Sequence, residues 1–297
     1  MTHSMREILP REFTVTRLNQ RPFTFLEGPV WDEKRQVLYF SDPLEETVLA
    51  MDQPGNFQVI RRDSGYVNGM CMSRDGNLAV CRMASGTVEE LCPETGKRLG
   101  TIASGYAGKP FHATNDVIGD GRGGYYITDP FFTYGPKTQD REATYHCAAD
   151  GTVRRVAVES RKPNGLALSP DKRTLYIDDT GSREVWRYSV EADGSLSGAS
   201  VFCRLSPPED PGALPAVQRY GEADGMKVDS CGNIYITTLT GIQVFNGQGR
   251  PLGLIPMPGR ESAANCVFGG SDLRTLFITA RTSLYQVSLR IPGLSSI

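Results

Sequence analysis

Six segments of the chain share one pattern, in which a polar residue with a side-chain oxygen opens a short strand and a second strand soon follows. The opening residues are Glu27, Asn68, Asn115, Asn164, Asp224 and Asn265, at successive intervals of 41, 47, 49, 60 and 41 residues. A repeat of this length indicates stacked or circular units, and intervals of about 40–50 residues are typical of a β-propeller. If the units close into a ring, the six side chains converge on one axis.

The repeat unit contains four short strands separated by Gly, Pro, Asn and Asp, as in FLEGPVWD, QVLYFSD, TVLAMD and NFQVIRR of the first repeat. The sequence therefore predicts an all-β, six-bladed propeller that spans 1–297 as one domain. The last repeat shows only three strands, so the run before Glu27 is expected to add the fourth and close the ring. The Pro-rich segment 206–223 lengthens the fourth interval and predicts an inserted loop, either a lid over the axis or an inert surface excursion.

Composition excludes several classes of protein. The balance of 32 basic and 34 acidic residues argues against a nucleic-acid partner, which requires a basic surface. The chain shows no apolar signal region near its start and no apolar run long enough to span a membrane. Seven scattered Cys without a C-x-x-C motif favour reduced thiols, and we expect a cytoplasmic monomer or homodimer without a membrane partner.

The opening residues also form a chemical set. Turn chemistry alone explains any single Asn, but it does not explain Glu27 before Gly-Pro. The two carboxylates, Glu27 and Asp224, carry the charge that one divalent cation would balance. Because all the donors are oxygen atoms, we expect Ca²⁺, with Mn²⁺, Mg²⁺ or Zn²⁺ as alternatives.

Five motifs, in order, resemble the SMP-30/gluconolactonase (regucalcin) family over residues 20–290. They are E-G-P-x-W at Glu27, N-D-V at Asn115, P-N-G-L-A-L-S-P-D at Asn164, D-G-M-x-V-D at Asp224 and N-C-V-F-G-G at Asn265. The resemblance implies a six-bladed propeller with one divalent metal on its axis. It further implies that Glu27, Asn164 and Asp224 are metal ligands, and that Asn115 lies close to both metal and substrate.

The chain departs from this family in the segment FHATND. Many sugar lactonases of the family carry Arg two residues before the Asn of the N-D motif, where this chain has Ala113. His112 replaces an Asn found in many bacterial members. We expect His112, Asn115, Phe132 and Tyr134 to contact the substrate, with Phe131 and Phe132 favouring a flatter or more apolar molecule than a sugar lactone.

These features predict a divalent-metal-dependent lactonase, in which the cation acts as a Lewis acid on the lactone carbonyl. Asp224 is the first candidate for the general base and His112 the second, because amides cannot accept the proton. A non-sugar ester or phosphotriester hydrolase, a cyclase or isomerase, and a binding module remain alternatives. No G-x-S-x-G motif supports a serine hydrolase. Asp42, Asp129 and Asp179, which end second strands, are expected to cap turns.

Overall fold

The repeats form six four-stranded antiparallel sheets in a computed structural model that describes residues 4–132, 136–207 and 223–295. The predicted all-β, six-bladed propeller is therefore confirmed. The helical elements in these ranges are α1 (Met5–Ile8) and two short 3-10 turns, Pro43–Glu45 and Pro258–Arg260. Among the described residues, none of the helices has the length or hydropathy needed to cross a bilayer.

Strand β1 (Thr16–Arg17) precedes the blades, whose four strands follow one another from the axis outward. Blade 1 contains β2 (Glu27–Asp32), β3 (Val37–Asp42), β4 (Thr47–Met51) and β5 (Phe57–Arg61). Blade 2 contains β6 (Val67–Met72), β7 (Leu78–Arg82), β8 (Thr87–Leu91) and β9 (Arg98–Ala103), and a small hairpin of β10 (Gly105–Tyr106) and β11 (Lys109–Pro110) comes next.

The remaining blades repeat this order. Blade 3 contains β12 (Val117–Gly119), β13 (Tyr125–Asp129), β14 (Ala143–Cys147) and β15 (Val153–Ala157). Blade 4 contains β16 (Pro163–Leu168), β17 (Thr174–Asp179), β18 (Glu184–Val190) and β19 (Leu196–Arg204). Blade 5 contains β20 (Met226–Val228), β21 (Ile234–Thr238), β22 (Gly241–Phe245) and β23 (Pro251–Pro256). Blade 6 contains β24 (Asn265–Gly269), β25 (Thr275–Ala280) and β26 (Ser283–Ser288).

The N-terminal strand closes the ring, as predicted. Strand β1 pairs antiparallel with β26, with Thr16 opposite Gln286 and Arg17 opposite Tyr285, and becomes the outermost strand of blade 6. Closure places β2 beside both β6 and β24, so the innermost strands surround one axis. Blade 6 is thus built from both ends of the chain, and β1 pairs with the outer edge of β26.

The hydrophobic core consists of six clusters of buried side chains, one between each pair of neighbouring blades. At the closure, Trp31 of blade 1 stacks on Phe277 of blade 6, with ring centroids 5.6 Å apart. Between blades 5 and 6, helix α1 contributes Ile8, which is fully buried. Burial between faces, rather than within one sheet, makes each blade depend on its neighbours.

We expect Asn19→Ala to weaken the ring closure. The side chain of Asn19 accepts a hydrogen bond from Leu284 N (2.8 Å) and donates to the Thr282 carbonyl (3.1 Å), so it joins the N-terminal segment to blade 6. The substitution leaves a buried N–H without its acceptor and should lower the free energy of unfolding by about 1–3 kcal/mol. Denaturant unfolding measures the loss. Asn56→Ala, which removes an exposed contact to Asp52, is the control and should change little.

The inserted segment predicted at 206–223 lies, at 208–222, outside the described residues. Its beginning is attached to blade 5, where Ser206 N donates to Gln243 Oε1 (2.9 Å) and Gln243 Nε2 donates back to the Ser206 carbonyl (3.0 Å). A role as a lid remains a prediction.

Candidate functional site

The six opening residues all lie within two residues of the start of an innermost strand. Glu27 and Asn265 are the first residues of β2 and β24, whereas Asn115 and Asp224 precede β12 and β20 by two residues. Asp224 is half-buried and the other five are buried. The opening residues therefore form a ring around one end of the axis.

Backbone contacts between blades fix this ring. Gly69 N donates to the Asn115 carbonyl and Gly165 N donates to the Asp224 carbonyl, each at 2.8 Å. These glycines follow opening residues, and a Cβ added to Gly165 would lie 2.2 Å from the Asp224 carbonyl oxygen. A glycine at this place lets the next blade approach closely enough to bring its opening residue to the axis.

Asn164 and Asp224 are joined directly. Asn164 Nδ2 donates to Asp224 Oδ1 and to Thr180 Oγ1, both at 2.9 Å. Thr180 Oγ1 in turn donates to the Ala223 carbonyl (2.7 Å), beside Asp224. Because both hydrogens of the Asn164 amide are engaged, its carbonyl oxygen remains available as a ligand.

Two acidic groups repel each other across this ring. Burial, and then the negative charge of Asp224, raise the pKa of Glu27 well above its usual range. Burial also raises the pKa of Asp224, while the hydrogen bond from Asn164 and the positive charge of Arg281 act in the opposite direction. A cation between the two carboxylates would relieve the repulsion that raises the pKa of Glu27.

The donor set fits a hard divalent cation. Glu27 and Asp224 provide carboxylate oxygens, and Asn164 provides an amide oxygen whose NH₂ group is engaged elsewhere. In the described ranges no three His, Cys, Asp or Glu side chains form a metal-sized cluster, so a cation here would need the amides as ligands. Oxygen donors of this mixed kind suit Ca²⁺ better than Zn²⁺.

Two further carboxylates near the ring were missed from the sequence. Asp116 and Asp178 are buried, and each has an Oδ2 atom without a hydrogen-bond partner in the described part of the chain. Burial, and then the charge of Asp224, raise the pKa of Asp178. The sequence offered only their positions as a sign of this role: Asp116 directly follows Asn115, and Asp178 directly precedes the turn residue Asp179. They concentrate negative charge around the same axis.

His112 is buried, and its ring is held by the backbone that follows blade 3's second strand. Its Nδ1 accepts a hydrogen bond from Thr138 N (3.0 Å), so in the neutral ring the proton lies on Nε2. Burial lowers the pKa of His112, which favours that neutral form. The Nε2 atom of His112 therefore carries a hydrogen that it can donate, and the lone pair on Nδ1 is already occupied and cannot accept a proton.

The aromatic residues predicted at the mouth are only partly described. Phe132 is half-buried, and Lys162 Nζ lies 4.8 Å from its ring centroid. Phe131 lies edge-on to His112, with ring centroids 5.7 Å apart. Tyr134, also predicted to contact the substrate, lies outside the described residues.

The three Asp residues that end second strands form turns, as predicted. Each accepts hydrogen bonds from the two backbone N–H groups that lie three and two residues before an opening residue. The pairs are Thr24 and Phe25 on Asp42, His112 and Ala113 on Asp129, and Arg161 and Lys162 on Asp179. This shared contact holds the backbone that leads into the opening residue in the same way in blades 1, 3 and 4.

Comparison with known proteins agrees with this architecture. Residues 25–282 match the family model described as the SMP-30/Gluconolactonase/LRE-like region. The chain belongs to this family. A gluconolactonase of Zymomonas mobilis is 29% identical over 290 residues, covering 90% of this chain and 79% of the relative.

Solved structures extend the comparison. A gluconolactonase of Xanthomonas campestris superposes with a TM-score of 0.84 and 29% identity, covering 97% of this chain and 94% of its own. Regucalcin of Agrobacterium tumefaciens, a calcium-binding protein, superposes with a TM-score of 0.78 at 19% identity, covering 95% and 96% of the two chains. The latter resemblance concerns the fold alone.

Proposed function

We propose that this member of the SMP-30/gluconolactonase family is a lactonase that depends on a divalent cation and opens a cyclic ester by adding water. The observation that carries the proposal is the pairing of Asp224 with the Asn164 amide, together with a buried acid, Glu27, that lies within electrostatic reach of Asp224. The gluconolactonase relatives support lactones as the substrate class. Ca²⁺ is the proposed cation, held by Glu27, Asn164 and Asp224 with Asn115 beside them.

The bound cation would stabilise the negative charge that develops on the carbonyl oxygen as water adds. Asp224 accepts a proton from the attacking water while a bond forms between the water oxygen and the carbonyl carbon. The ring C–O bond then breaks, and the leaving oxygen takes the proton from Asp224. A carboxylate suits both steps, because it can accept the proton from water and then release it to the leaving oxygen.

His112 and Asn115 complete the proposed substrate contacts. The Nε2–H of His112 can donate to a substrate oxygen, whereas its Nδ1 is already occupied by Thr138 N. We therefore assign the base to Asp224 rather than to His112. Phe132 adds an aromatic surface at the rim, and Tyr134 remains a predicted contact.

The alternatives would use the same centre. An ester or phosphotriester hydrolase, or a cyclase or isomerase, is favoured by no contact in the described residues, and the gluconolactonase relatives favour lactone opening. Location in the cytoplasm and a monomeric or dimeric state remain predictions.

Removing the cation should abolish lactone hydrolysis and lower thermal stability. At a cation concentration of 100 times Kd, binding to the native state alone stabilises it by about 2.7 kcal/mol. The experiment compares chelator-stripped protein, shown metal-free by elemental analysis, with the same protein after Ca²⁺, Mn²⁺ or Mg²⁺ is restored. Full hydrolysis by the metal-free protein would contradict cation dependence.

A further inference from the structure

Arg281 lies where blade 6 meets blade 1, beside the mouth of the ring. It directly follows β25, and its carbonyl accepts a hydrogen bond from Leu26 N (2.6 Å), one residue before Glu27. Its φ of +49° is in the left-handed region, which non-glycine residues seldom adopt. The bridge to Leu26 holds this backbone and fixes where the side chain begins.

The guanidinium of Arg281 lies over the ring of Phe25, 4.9 Å from its centroid. Phe25 occupies the second position before Glu27, where its backbone N–H donates to Asp42 Oδ1 (3.0 Å) at the end of β3. The positive charge of Arg281 lowers the pKa of both Glu27 and Asp224, so it lies within electrostatic reach of both acids. Arg281 is thus a cation at the mouth of the proposed site.

The donors of Arg281 are not consumed by the protein. In the described part of the chain its guanidinium forms no ion pair and donates no hydrogen bond. A divalent cation between Glu27 and Asp224 would balance their two charges, so that neither of these carboxylates would need Arg281 as its counterion. A guanidinium pairs with a carboxylate through two parallel hydrogen bonds, which makes a carboxylate the matching group.

We propose that Arg281 binds a carboxylate carried by the substrate, so that the substrate is a lactone with a separate acidic group. This inference rests on the lactonase function proposed above. In blade 3 the position equivalent to Phe25, two residues before Asn115, is Ala113, which is buried and uncharged. The acidic group of the substrate is therefore recognised by Arg281, where blade 6 meets blade 1, and not by the residue at position 113 of blade 3.

The test compares a charged and a neutral lactone, glucaro-1,4-lactone and glucono-1,5-lactone, in steady-state hydrolysis with Ca²⁺ present. Arg281→Met keeps an unbranched apolar side chain beside Phe25 but removes the positively charged guanidinium group. We expect it to lower kcat/KM for the charged lactone by about 10- to 100-fold, mainly through KM, and to change the neutral lactone far less. Arg281→Lys should restore part of the loss.

Lys162→Met is the matched control. Like Arg281, Lys162 places its positive charge over an aromatic ring, that of Phe132. Unlike Arg281, it is not among the charges that shift the pKa of Glu27 or Asp224. It should leave the preference for the charged lactone in place. Equal losses for both lactones in Arg281→Met, or no preference for the charged one in the unaltered protein, would overturn the proposal.

A binding measurement separates this inference from the lactonase proposal. Calorimetric titration with glucarate, the dicarboxylate product, at matched Ca²⁺ in cell and syringe requires no turnover. Loss of glucarate binding in Arg281→Met supports the anion site even if no lactone is opened. Unchanged glucarate binding, together with normal lactone hydrolysis, overturns the role of Arg281 and leaves the lactonase function standing. Ca²⁺ affinity should not weaken in Arg281→Met, because a repelling charge is removed, whereas damage to the fold would weaken it.

Discussion

Asp224→Asn is expected to lower lactone hydrolysis by about 10³-fold, because the variant has no group that can accept the proton from water. The substitution preserves shape, and the new amide oxygen can still accept the hydrogen bond from Asn164 Nδ2. It also removes one of the negative charges that raise the pKa of Glu27 and Asp178, so the free energy of unfolding of the cation-free protein should not fall. Steady-state hydrolysis with Ca²⁺ present and denaturant unfolding of the chelator-stripped protein measure the two effects.

Asp229→Asn provides the matched control within blade 5. Asp229 is buried directly after β20, where its carboxylate accepts hydrogen bonds from Asn233 and Tyr235. Its replacement should reduce stability but leave the hydrolysis rate per folded molecule nearly unchanged. If Asp224→Asn retained the full rate, the assignment of the base would be wrong.

Gly28→Ala is expected to disrupt the ring. The backbone of Gly28 has a φ of +44°, and an added Cβ would lie 2.0 Å from the carbonyl oxygen of Asn68 in the next blade. Left-handed strain and overpacking against backbone together should lower the free energy of unfolding by about 3–4 kcal/mol. Because the shift would move Glu27, the affinity for Ca²⁺ should fall as well. Thermal unfolding and calorimetric titration measure the two losses.

Gly108→Ala separates the two causes. Gly108 has a φ of +77° in the small hairpin, and an added Cβ would meet no atom within 4 Å. It should lose only about 1 kcal/mol, from the left-handed backbone alone. Equal losses in the two variants would show that close approach between blades 1 and 2 is not what Gly28 provides.

The fold could be predicted from the sequence because its determinants are local and periodic. Each blade repeats the same order of turns and alternating strands, and the missing strand of the last repeat indicated that β1 completes blade 6. The turn role of Asp129 was also predictable, because an Asp side chain at the end of a strand commonly accepts hydrogen bonds from nearby backbone N–H groups, as Asp129 does from His112 and Ala113. The positions of Asn115 and Asp224 relative to β12 and β20 could not be predicted, because they depend on hydrogen bonds to the preceding blade.

The site could be predicted only in part. The opening residues follow from the repeat, and the contact between Asn164 and Asp224 joins residues from successive blades. Arg281 has no counterpart in the repeat, so only the closed ring brings it near Glu27. The proton on His112 could not be inferred either, because Thr138 N determines which ring nitrogen accepts.

Diffraction from crystals of the chelator-stripped protein soaked in Mn²⁺ tests the central claim most directly. Anomalous scattering locates the ion without reference to activity. We predict one strong peak within coordination distance of the side-chain oxygens of Glu27, Asn164 and Asp224. A map without a peak at these three residues, or with the ion bound elsewhere on the chain, would contradict it.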